Sequence, residues 1–375
     1  MINYNKVIEN SYEKKIYQNL HDNVIKYLEN FGETDFWSIV RNVGGSERRM
    51  IRLLNEMVSN SEVKFSNNKF MSLNFHGSIN CLCDKCEGKR VITEKINYIS
   101  KELKEIWDNK PEPTFIFDQR PVNMKTTINR VAYLLTNNDI YNKKILLLGD
   151  DDLTSVAIAL LKVPCEIVVV DADERLIKYI NRVSNDYNLS LTAVKYNVLS
   201  EVNDKYLNYF DVLMTDPTPE KKPFNIFMNR AIDFTKKKSV IYTSIYSSAM
   251  LETIELQKIM TRMNLYITDI IPVFTEYQSI YELYNTNDVK LFEKYNILLN
   301  ENSICFTESL IRMKKTKNTK KIPINFKGND LFGKATKRTI GDKNADVKIS
   351  DKDKKYLYKV RETLIKKENE ELISK

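Results

Sequence analysis

Between residues 145 and 273 the chain alternates short apolar runs with longer amphipathic stretches, and this pattern limits the folds available to it. The apolar runs predict strands at 145–148, 166–170, 191–196, 210–215, 239–243 and 265–273. The amphipathic stretches predict helices at 154–161, 174–187, 224–237 and 250–263. Strands separated by helices of this kind indicate a parallel, doubly wound α/β sheet. A last strand at 303–313 is predicted to be antiparallel.

Acidic residues stand where the predicted strands end. Asp150, Asp151 and Asp152 follow the first strand, Asp171 ends the second, and Asp216 ends the fourth. Ligands of open α/β sheets bind beyond the carboxyl ends of the strands. Neighbouring carboxylates repel each other by roughly 2–3 kcal/mol per pair at about 6 Å and an effective dielectric of about 20. We therefore predict an offsetting cation here, either a divalent metal or a polyammonium substrate, rather than a solvated acidic loop.

The net charge of +8 points first to an anionic partner, but its distribution does not support that partner at the strand ends. Residues 310–375 contain 20 Lys and Arg against 9 Asp and Glu, whereas residues 145–220 contain 6 against 13. The basic excess is therefore a property of the C-terminal tail. With 9 glycines in the whole chain and neither a G-x-G-x-x-G nor a Walker A motif, a glycine-rich phosphate loop is not expected.

Residues 1–90 predict a winged-helix-like α+β domain, with a long first helix, two shorter helices and a hairpin over 63–75. The predicted second short helix carries Arg48, Arg49 and Arg52, which suit contact with DNA. Nucleic acid is not the favoured partner, however, because this topology is often reused without DNA; a dimerisation or lid module is favoured, and a homodimer is expected. The remaining parts are predicted as a helical connector at 91–140, a catalytic domain at 141–313 and a basic, weakly structured tail at 314–375.

A cluster of potential metal ligands follows the hairpin. His76, Cys81, Cys83 and Cys86 lie within eleven residues and would complete a tetrahedral zinc shell. We predict a structural zinc site, with a reduced, metal-free knuckle as the alternative because no second cysteine pair follows. An odd number of cysteines, 5, in a chain of this length argues against a disulfide scaffold. Since no signal-peptide core or membrane-spanning run is present, a cytoplasmic protein without membrane contact is expected.

Asp171 has a second interpretation. An acidic residue at the end of the second strand is where Rossmann-like folds bind ribose hydroxyls. Because the phosphate loop is missing, the nucleoside is predicted to be an adenosylsulfonium compound. The alternative, that Asp171 caps the next helix, is less favoured because Asp173 is the better placed cap.

The motifs of this chain resemble those of the branched-chain polyamine synthases, the bis(aminopropyl)spermidine synthase family. The most diagnostic is Gly149-Asp150-Asp151-Asp152-Leu153, and the resemblance runs in order to about residue 313. The other matching segments are Asp118-Gln119, Asp171-Ala172-Asp173-Glu174-Arg175-Leu176, Thr215-Asp216-Pro217 and Phe274-Thr275-Glu276-Tyr277. The resemblance implies a Rossmann-like, class I methyltransferase-like aminopropyltransferase fold. The implied enzyme transfers an aminopropyl group from decarboxylated S-adenosylmethionine to a polyamine such as spermidine, and releases methylthioadenosine.

The resemblance also implies roles for individual residues. It assigns polyamine binding and general-base work to Asp150, Asp151 and Asp152 without distinguishing among them, and the binding or deprotonation of the attacking amine to Asp216. It assigns the ribose to Asp171 and further donor contacts to Gln119, Gly149 and Asn197. It assigns the acceptor pocket to Asp118, Glu276 and Tyr277. The chain departs from the family pattern at three positions, which are Arg120, Thr218 and Asn197.

Two alternatives compete with this function. A nucleic-acid N-methyltransferase using S-adenosylmethionine would explain the Asp216-Pro217 dipeptide and the basic tail. However, no aromatic residue follows the dipeptide to stack a flipped base, and the neighbouring acids would repel phosphate. A non-catalytic winged-helix protein that binds nucleic acid would leave the acidic strand ends unexplained.

Overall fold

The computed structural model describes the residues 11–75, 86, 88–114, 117, 119–246, 250–279, 286–299 and 303–323. These residues form two compact units. The first unit takes 11–75, 276–279, 286–299 and 303–307, and the second takes the described residues from 86 to 275 and 308–323. Within the described part of the chain, no helix has the length and apolar character needed to cross a membrane. The predicted four-part division of the chain stays a prediction.

Helices and strands follow in an order close to the predicted one. The helices are α1 Ser11–Phe31, α2 Phe36–Val43, α3 Glu47–Ser59, α4 Ser100–Asp108, α5 Met124–Thr136, α6 Thr154–Leu160, α7 Glu174–Asp186, α8 Lys221–Phe234, α9 Met250–Arg262 and α10 Thr286–Lys294. The strands are β1 Val63–Ser66, β2 Lys69–Ser72, β3 Lys144–Leu148, β4 Glu166–Asp171, β5 Leu191–Lys195, β6 Phe210–Thr215, β7 Thr235–Tyr246, β8 Leu265–Gln278 and β9 Ile304–Lys315. Short 3₁₀ helices cover Thr93–Ile99 and Asp204–Tyr206.

The main sheet has seven strands in the order β5-β4-β3-β6-β7-β9-β8. Strand β3 pairs in parallel with β4 on one side and β6 on the other, while β7 pairs with β9 in antiparallel fashion. The doubly wound α/β sheet with an antiparallel last strand is thus confirmed. Because the strand order reverses between β3 and β6, a crevice is expected beyond the carboxyl ends of these two strands.

The central strands read as continuous apolar runs because both faces of the sheet are covered. In β3, Ile145 and Leu147 belong to the apolar cluster that includes α4 to α7, whereas Leu146 and Leu148 belong to the cluster of α8 and α9. All four side chains are buried. The predicted helix at 224–237 ends earlier, at Phe234, because Thr235 already pairs with Phe210 of β6.

The first unit is a small α+β module, as predicted. Its core joins α1, α2, α3 and the β1–β2 hairpin to α10. Asp35 and Ser46 cap α2 and α3 by accepting hydrogen bonds from the Ser38 and Arg49 amides.

Within the first unit, one of the arginines considered for DNA contact has an internal partner. The Arg52 guanidinium donates two hydrogen bonds, of 2.6 and 2.8 Å, to the fully buried carboxylate of Asp288. A bidentate pair of this kind fixes the arginine in place. Arg52 is therefore committed to the packing of α3 against α10 and is poorly suited to contact bases.

Candidate active site

The acidic turn, residues 149–153, lies directly after β3 at the point where the strand order of the sheet reverses. Gly149 has φ +81°, a left-handed conformation that glycine adopts at no steric cost. Leu153 closes the turn with φ +52° although it is fully buried and bulky. A non-glycine residue in this region costs about 1–3 kcal/mol and persists only where the surroundings impose it. The fold therefore holds this turn in one conformation.

Asp150 turns towards helix α6. Its carboxylate accepts hydrogen bonds from the Ser155 amide, at 3.2–3.3 Å, and from the Ser155 hydroxyl. The residue is buried, and burial together with the nearby Asp152 raises the pKa of Asp150 well above its usual range. The carboxyl group of Asp150 thus ties the acidic turn to the first turn of α6.

Asp151 differs from the other two aspartates of the turn in the hydrogen bonding of its carboxylate. Its Oδ2 atom is buried and accepts no hydrogen bond within the described part of the chain, although the residue as a whole is partly exposed. Burial and the charge of Asp152 raise the pKa of Asp151 to about 7, against the opposing effect of Lys110. The Lys110 ammonium donates to the backbone oxygen of Asp151 at 2.7 Å, and burial lowers the pKa of Lys110. A carboxyl group that titrates near neutrality is suited to general-base catalysis.

Asp152 and Asp216 share a buried arginine that the sequence analysis missed. One terminal nitrogen of Arg130 donates to Asp152 Oδ2, and the other donates to Asp216 Oδ2 at 2.5 Å. The second nitrogen also lies 3.4 Å from the hydroxyl of Thr275. Arg130 is 2% exposed and comes from the middle of α5. The usable signal is a long cationic side chain in the middle of a mostly apolar helix, followed by Val131, Ala132, Tyr133, Leu134 and Leu135.

The predicted offsetting cation is thus at least partly supplied by the protein itself, through Arg130 and Lys110. In the part of the chain that the structure describes, no group of three or more His, Cys, Asp or Glu side chains is arranged to hold a metal ion.

Asp171 lies at the end of β4, beside the turn. Its Oδ1 accepts from the Asp173 amide at 2.7 Å, and its Oδ2 accepts from the Asp150 amide at 3.3 Å. Burial raises the pKa of Asp171 despite these two donors. Because a carboxylate has about four lone-pair positions, Asp171 retains capacity for further donors such as hydroxyl groups.

Gln119 and Asp173 are linked next to Asp171. The Gln119 amide donates to Asp173 Oδ2 at 3.1 Å and accepts from the Thr114 amide at 2.9 Å. Asp173 caps α7 through the Arg175 amide, as the sequence analysis expected of this residue. The structure therefore brings Gln119 to the β4 end of the sheet but leaves its amide group engaged.

Three further predicted donor and pocket residues have contacts within their own unit, namely Asn197, Glu276 and Tyr277. Asn197 is exposed after β5 and accepts from the Leu199 amide at 2.9 Å. Glu276 and Tyr277 belong to the first unit, where Arg41 donates to Glu276 at 3.2 Å and Tyr277 stacks on Phe306 at 4.5 Å.

Several predicted positions lie outside the described residues, namely Asp118, His76, Cys81 and Cys83. Cys86 is described, and its thiol is partly exposed. The predicted zinc site accordingly stays a prediction. Arg120, the cation that departs from the family pattern, is partly exposed and forms no ion pair within the described part of the chain.

The chain is similar in sequence to known proteins. A sequence profile of the branched-chain polyamine synthase A C-terminal domain matches residues 98–336. The chain is 32% identical over 282 residues to N(4)-bis(aminopropyl)spermidine synthase of Methanocaldococcus jannaschii, covering 71% of this chain and 79% of that protein. It is 29% identical over 290 residues to the enzyme of the same name from Thermococcus kodakarensis, covering 72% and 82%.

The fold also matches a solved structure. The crystal structure of the branched-chain polyamine synthase from Thermus thermophilus, in complex with N4-aminopropylspermidine and 5'-methylthioadenosine, superposes with a TM-score of 0.66. The match covers 84% of this chain and 91% of that chain at 20% sequence identity. At this identity the likeness concerns the fold.

Proposed function

The chain belongs to the branched-chain polyamine synthase family of transferases, and we propose that it moves an aminopropyl group from decarboxylated S-adenosylmethionine to a polyamine nitrogen. Spermidine is the proposed acceptor, and methylthioadenosine and a branched polyamine are the proposed products. The observation that carries this proposal is the acidic turn at the reversal of strand order, which places the carboxylates of Asp150, Asp151 and Asp152 beside Asp171. Both substrates are cations, so fixed carboxylates would offset the cost of bringing them together.

The proposed donor site is the β4 end of the sheet. Asp171 would accept hydrogen bonds from the ribose hydroxyls of the donor, using the capacity left by its two backbone donors. Gly149 leaves open space next to Asp171, since a Cβ built at this position would meet only Asp171 Oδ2, at 4.0 Å. Gln119 would then support the donor site through Asp173, and Asn197 would accept from the adenine amino group.

In the proposed reaction, the lone pair of the acceptor nitrogen attacks the propyl carbon bound to the sulfonium. The carbon–sulfur bond breaks, and its electron pair stays on the sulfur of methylthioadenosine. The attacking nitrogen must lose a proton, and we assign the acceptor of that proton to Asp151 because its free oxygen and raised pKa suit a general base.

The other aspartates would have different roles. Asp150 would hold the turn through Ser155, and Asp152 and Asp216 would place their negative charge around the amine. Glu276 and Tyr277 stay candidates for the acceptor pocket, as does Asp118. The predicted homodimer also stays a prediction.

The direct test is product analysis in parallel reactions. With decarboxylated S-adenosylmethionine and spermidine, we expect a branched polyamine and one methylthioadenosine for each aminopropyl group transferred, measured by liquid chromatography and mass spectrometry. With S-adenosylmethionine and DNA or RNA, no methyl transfer is expected. Methylation of the nucleic acid would contradict the proposed function. So would the absence of methylthioadenosine from the first mixture with spermidine and with every other polyamine tried as the acceptor.

Replacing the proposed ribose ligand should affect one substrate selectively. A hydrogen bond to a charged group contributes about 1.5–3 kcal/mol, so Asp171→Asn should lower kcat/KM for the donor by roughly 10- to 100-fold. The KM for the polyamine should change much less. Initial rates with each substrate varied in turn measure this, with the exposed Asp186→Asn as the matched control. An equal loss for both substrates would argue against a ribose contact.

A further inference from the structure

Arg130 links the two strand ends that flank the expected crevice. Asp152 follows β3 and Asp216 follows β6, and each gives one carboxylate oxygen to a different terminal nitrogen of the same guanidinium. We propose that Arg130 is a positioning residue of the acceptor site, which fixes the relative placement of Asp152 and Asp216 and supplies the positive charge that offsets them. This inference rests on the proposed function, because it concerns the same acidic cluster.

Neighbouring residues hold the guanidinium group of Arg130 and its carboxylate partners in place. Arg130 is 2% exposed and lies on α5. The first turn of this helix is capped by Asn123, whose side chain accepts a hydrogen bond from the Thr126 amide at 2.8 Å. One turn before Arg130, the Thr127 hydroxyl donates to the backbone oxygen of Asp152 at 2.9 Å. The Thr154 hydroxyl donates to the remaining oxygen of Asp152 at 3.1 Å. Thr127 thus joins α5 to the acidic turn at one point besides the ion pair, and Thr154 holds Asp152 from the start of α6.

A guanidinium is suited to this task and an ammonium is not. The planar fork of arginine presents separate donors in fixed directions, whereas lysine carries a single point charge. A lysine at position 130 would keep the charge but could not hold both carboxylates in the same geometry.

Stability alone is a weak explanation for this arrangement. Burying an ion pair costs several kcal/mol of desolvation per ion, and well-packed apolar residues often serve equally well. The buried charge stands among carboxylates at a reversal of strand order, where ligands of such sheets bind. A functional role in arranging those carboxylates accounts for its place.

The charge of Arg130 also bears on the proposed proton acceptor. Asp151 faces Asp150 and Asp152 in the turn, Asp171 from β4, Asp216 from β6, and Lys110 from the segment after α4. Without the guanidinium, the charges of Asp152 and Asp216 would act on Asp151 with less compensation. The ionised form of Asp151 would then be less favoured and its pKa would rise further.

Two variants separate the geometry of Arg130 from its charge. Arg130→Lys keeps the positive charge and should lower kcat by roughly 10- to 100-fold, as expected for misplacement of about 1 Å, with the acid limb of the pH–rate profile near its original position. Arg130→Gln removes the charge, so the acid limb should also move upward by about 1–3 pH units. Exposed Arg262→Gln is the matched control and should change neither quantity.

The outcomes distinguish this inference from the proposed function. If the unmodified enzyme shows no aminopropyl transfer, the proposed function fails, and Arg130 is then tested by carbon-13 NMR titration of aspartate carboxyl groups. An upward shift of a carboxyl pKa in Arg130→Gln, absent in Arg262→Gln, supports the inference without activity. The inference is overturned if Arg130→Lys has an unchanged kcat. It is also overturned if Arg130→Gln is folded by circular dichroism and its carboxyl groups titrate as in the unmodified protein.

Discussion

Asp151→Asn is expected to lower kcat by about 10²- to 10⁴-fold, the usual contribution of a positioned general base. Asn has nearly the same shape but cannot take a proton from the attacking nitrogen. The turn should keep its conformation, because Asp151 is held through its backbone oxygen by Lys110 and its Oδ2 accepts no hydrogen bond within the described part of the chain. Single-turnover measurement of methylthioadenosine release tests the chemical step directly.

The same substitution should change the pH dependence. With the pKa of Asp151 at about 7, the unmodified enzyme should lose kcat/KM as pH falls through about 7, because the base becomes protonated. In Asp151→Asn that limb should disappear from the residual rate. A rate profile between pH 5 and 9 in buffers of constant ionic strength tests this.

Stability should move in the opposite direction from activity. The usual pKa of an aspartate is 3.8 and that of Asp151 in the fold is about 7, so between these values the folded state binds more protons than the unfolded state. Stability therefore falls as pH rises through this window, and ionised Asp151 is a cost to the fold above it. Asp151→Asn should accordingly melt at higher temperature than the unmodified protein at pH 8, and the gain should vanish below about pH 4.

The control for both effects is Asp186→Asn, which removes an equal charge from an exposed position in α7. It should leave the rate, the limb near pH 7 and the melting temperature nearly unchanged. If the limb near pH 7 persists in Asp151→Asn, another carboxylate is the general base. Loss of activity together with loss of stability would indicate that the substitution damages the turn.

The sheet could be predicted from the sequence because its central strands are buried on both faces. A run such as Ile145-Leu146-Leu147-Leu148 has no alternation, which is typical of a parallel strand covered on two sides. The boundary at Phe234 could not be placed from periodicity, since the change from helix to strand depends on the pairing of Thr235 with Phe210. Such a pairing joins residues that are distant in sequence.

The acidic cluster could be predicted for the same reason, because parallel strands end at one edge of the sheet. The separate orientations of Asp150, Asp151 and Asp152 could not, since they depend on the left-handed conformations of Gly149 and Leu153. Three consecutive identical residues carry no information about which faces the helix and which faces the arginine. The distinction needs the positions of Ser155 and Arg130.

Arg130 itself shows the limit of pattern analysis. A helix that is apolar on one face predicts a polar residue to be exposed on the other, yet nine successive residues of α5, from Thr126 to Leu134, are buried. The guanidinium is buried because two carboxylates from other parts of the chain receive it. Only the tertiary structure provides that pairing.

Arg312→Met is expected to destabilise the second unit by about 3–5 kcal/mol, the typical effect of removing one partner from a buried ion pair. Arg312 of β9 donates to both carboxylate oxygens of Asp139, at 2.9 and 3.2 Å, and to the Tyr242 hydroxyl at 3.0 Å. All three residues are buried. Burial and the Asp139 carboxylate raise the pKa of Tyr242, so its hydroxyl stays a donor to Asp139. The shift of the urea midpoint measures the loss.

The partner variant distinguishes an uncompensated charge from a lost contact. In Arg312→Met the Asp139 carboxylate stays buried without its cation, whereas adding Asp139→Leu removes that charge. The double variant should therefore be more stable than the sum of the two single losses predicts, with a coupling of about 0.5–3 kcal/mol. Exposed Arg262→Met should change stability by less than about 0.5 kcal/mol. Additive losses would mean that the three side chains pack independently.

Asp139 also gives this network a connection to the site. It follows the last turn of α5, the helix that carries Arg130, and ties that end of the helix to β7 and β9. If the network sets the position of α5, Arg312→Met should lower kcat at temperatures where the protein is still folded, because Arg130 would hold Asp152 and Asp216 less accurately. Unchanged kcat under those conditions would mean that the network contributes to stability alone. The hydrogen bond from Thr127 of α5 to the acidic turn would then be sufficient to position Arg130.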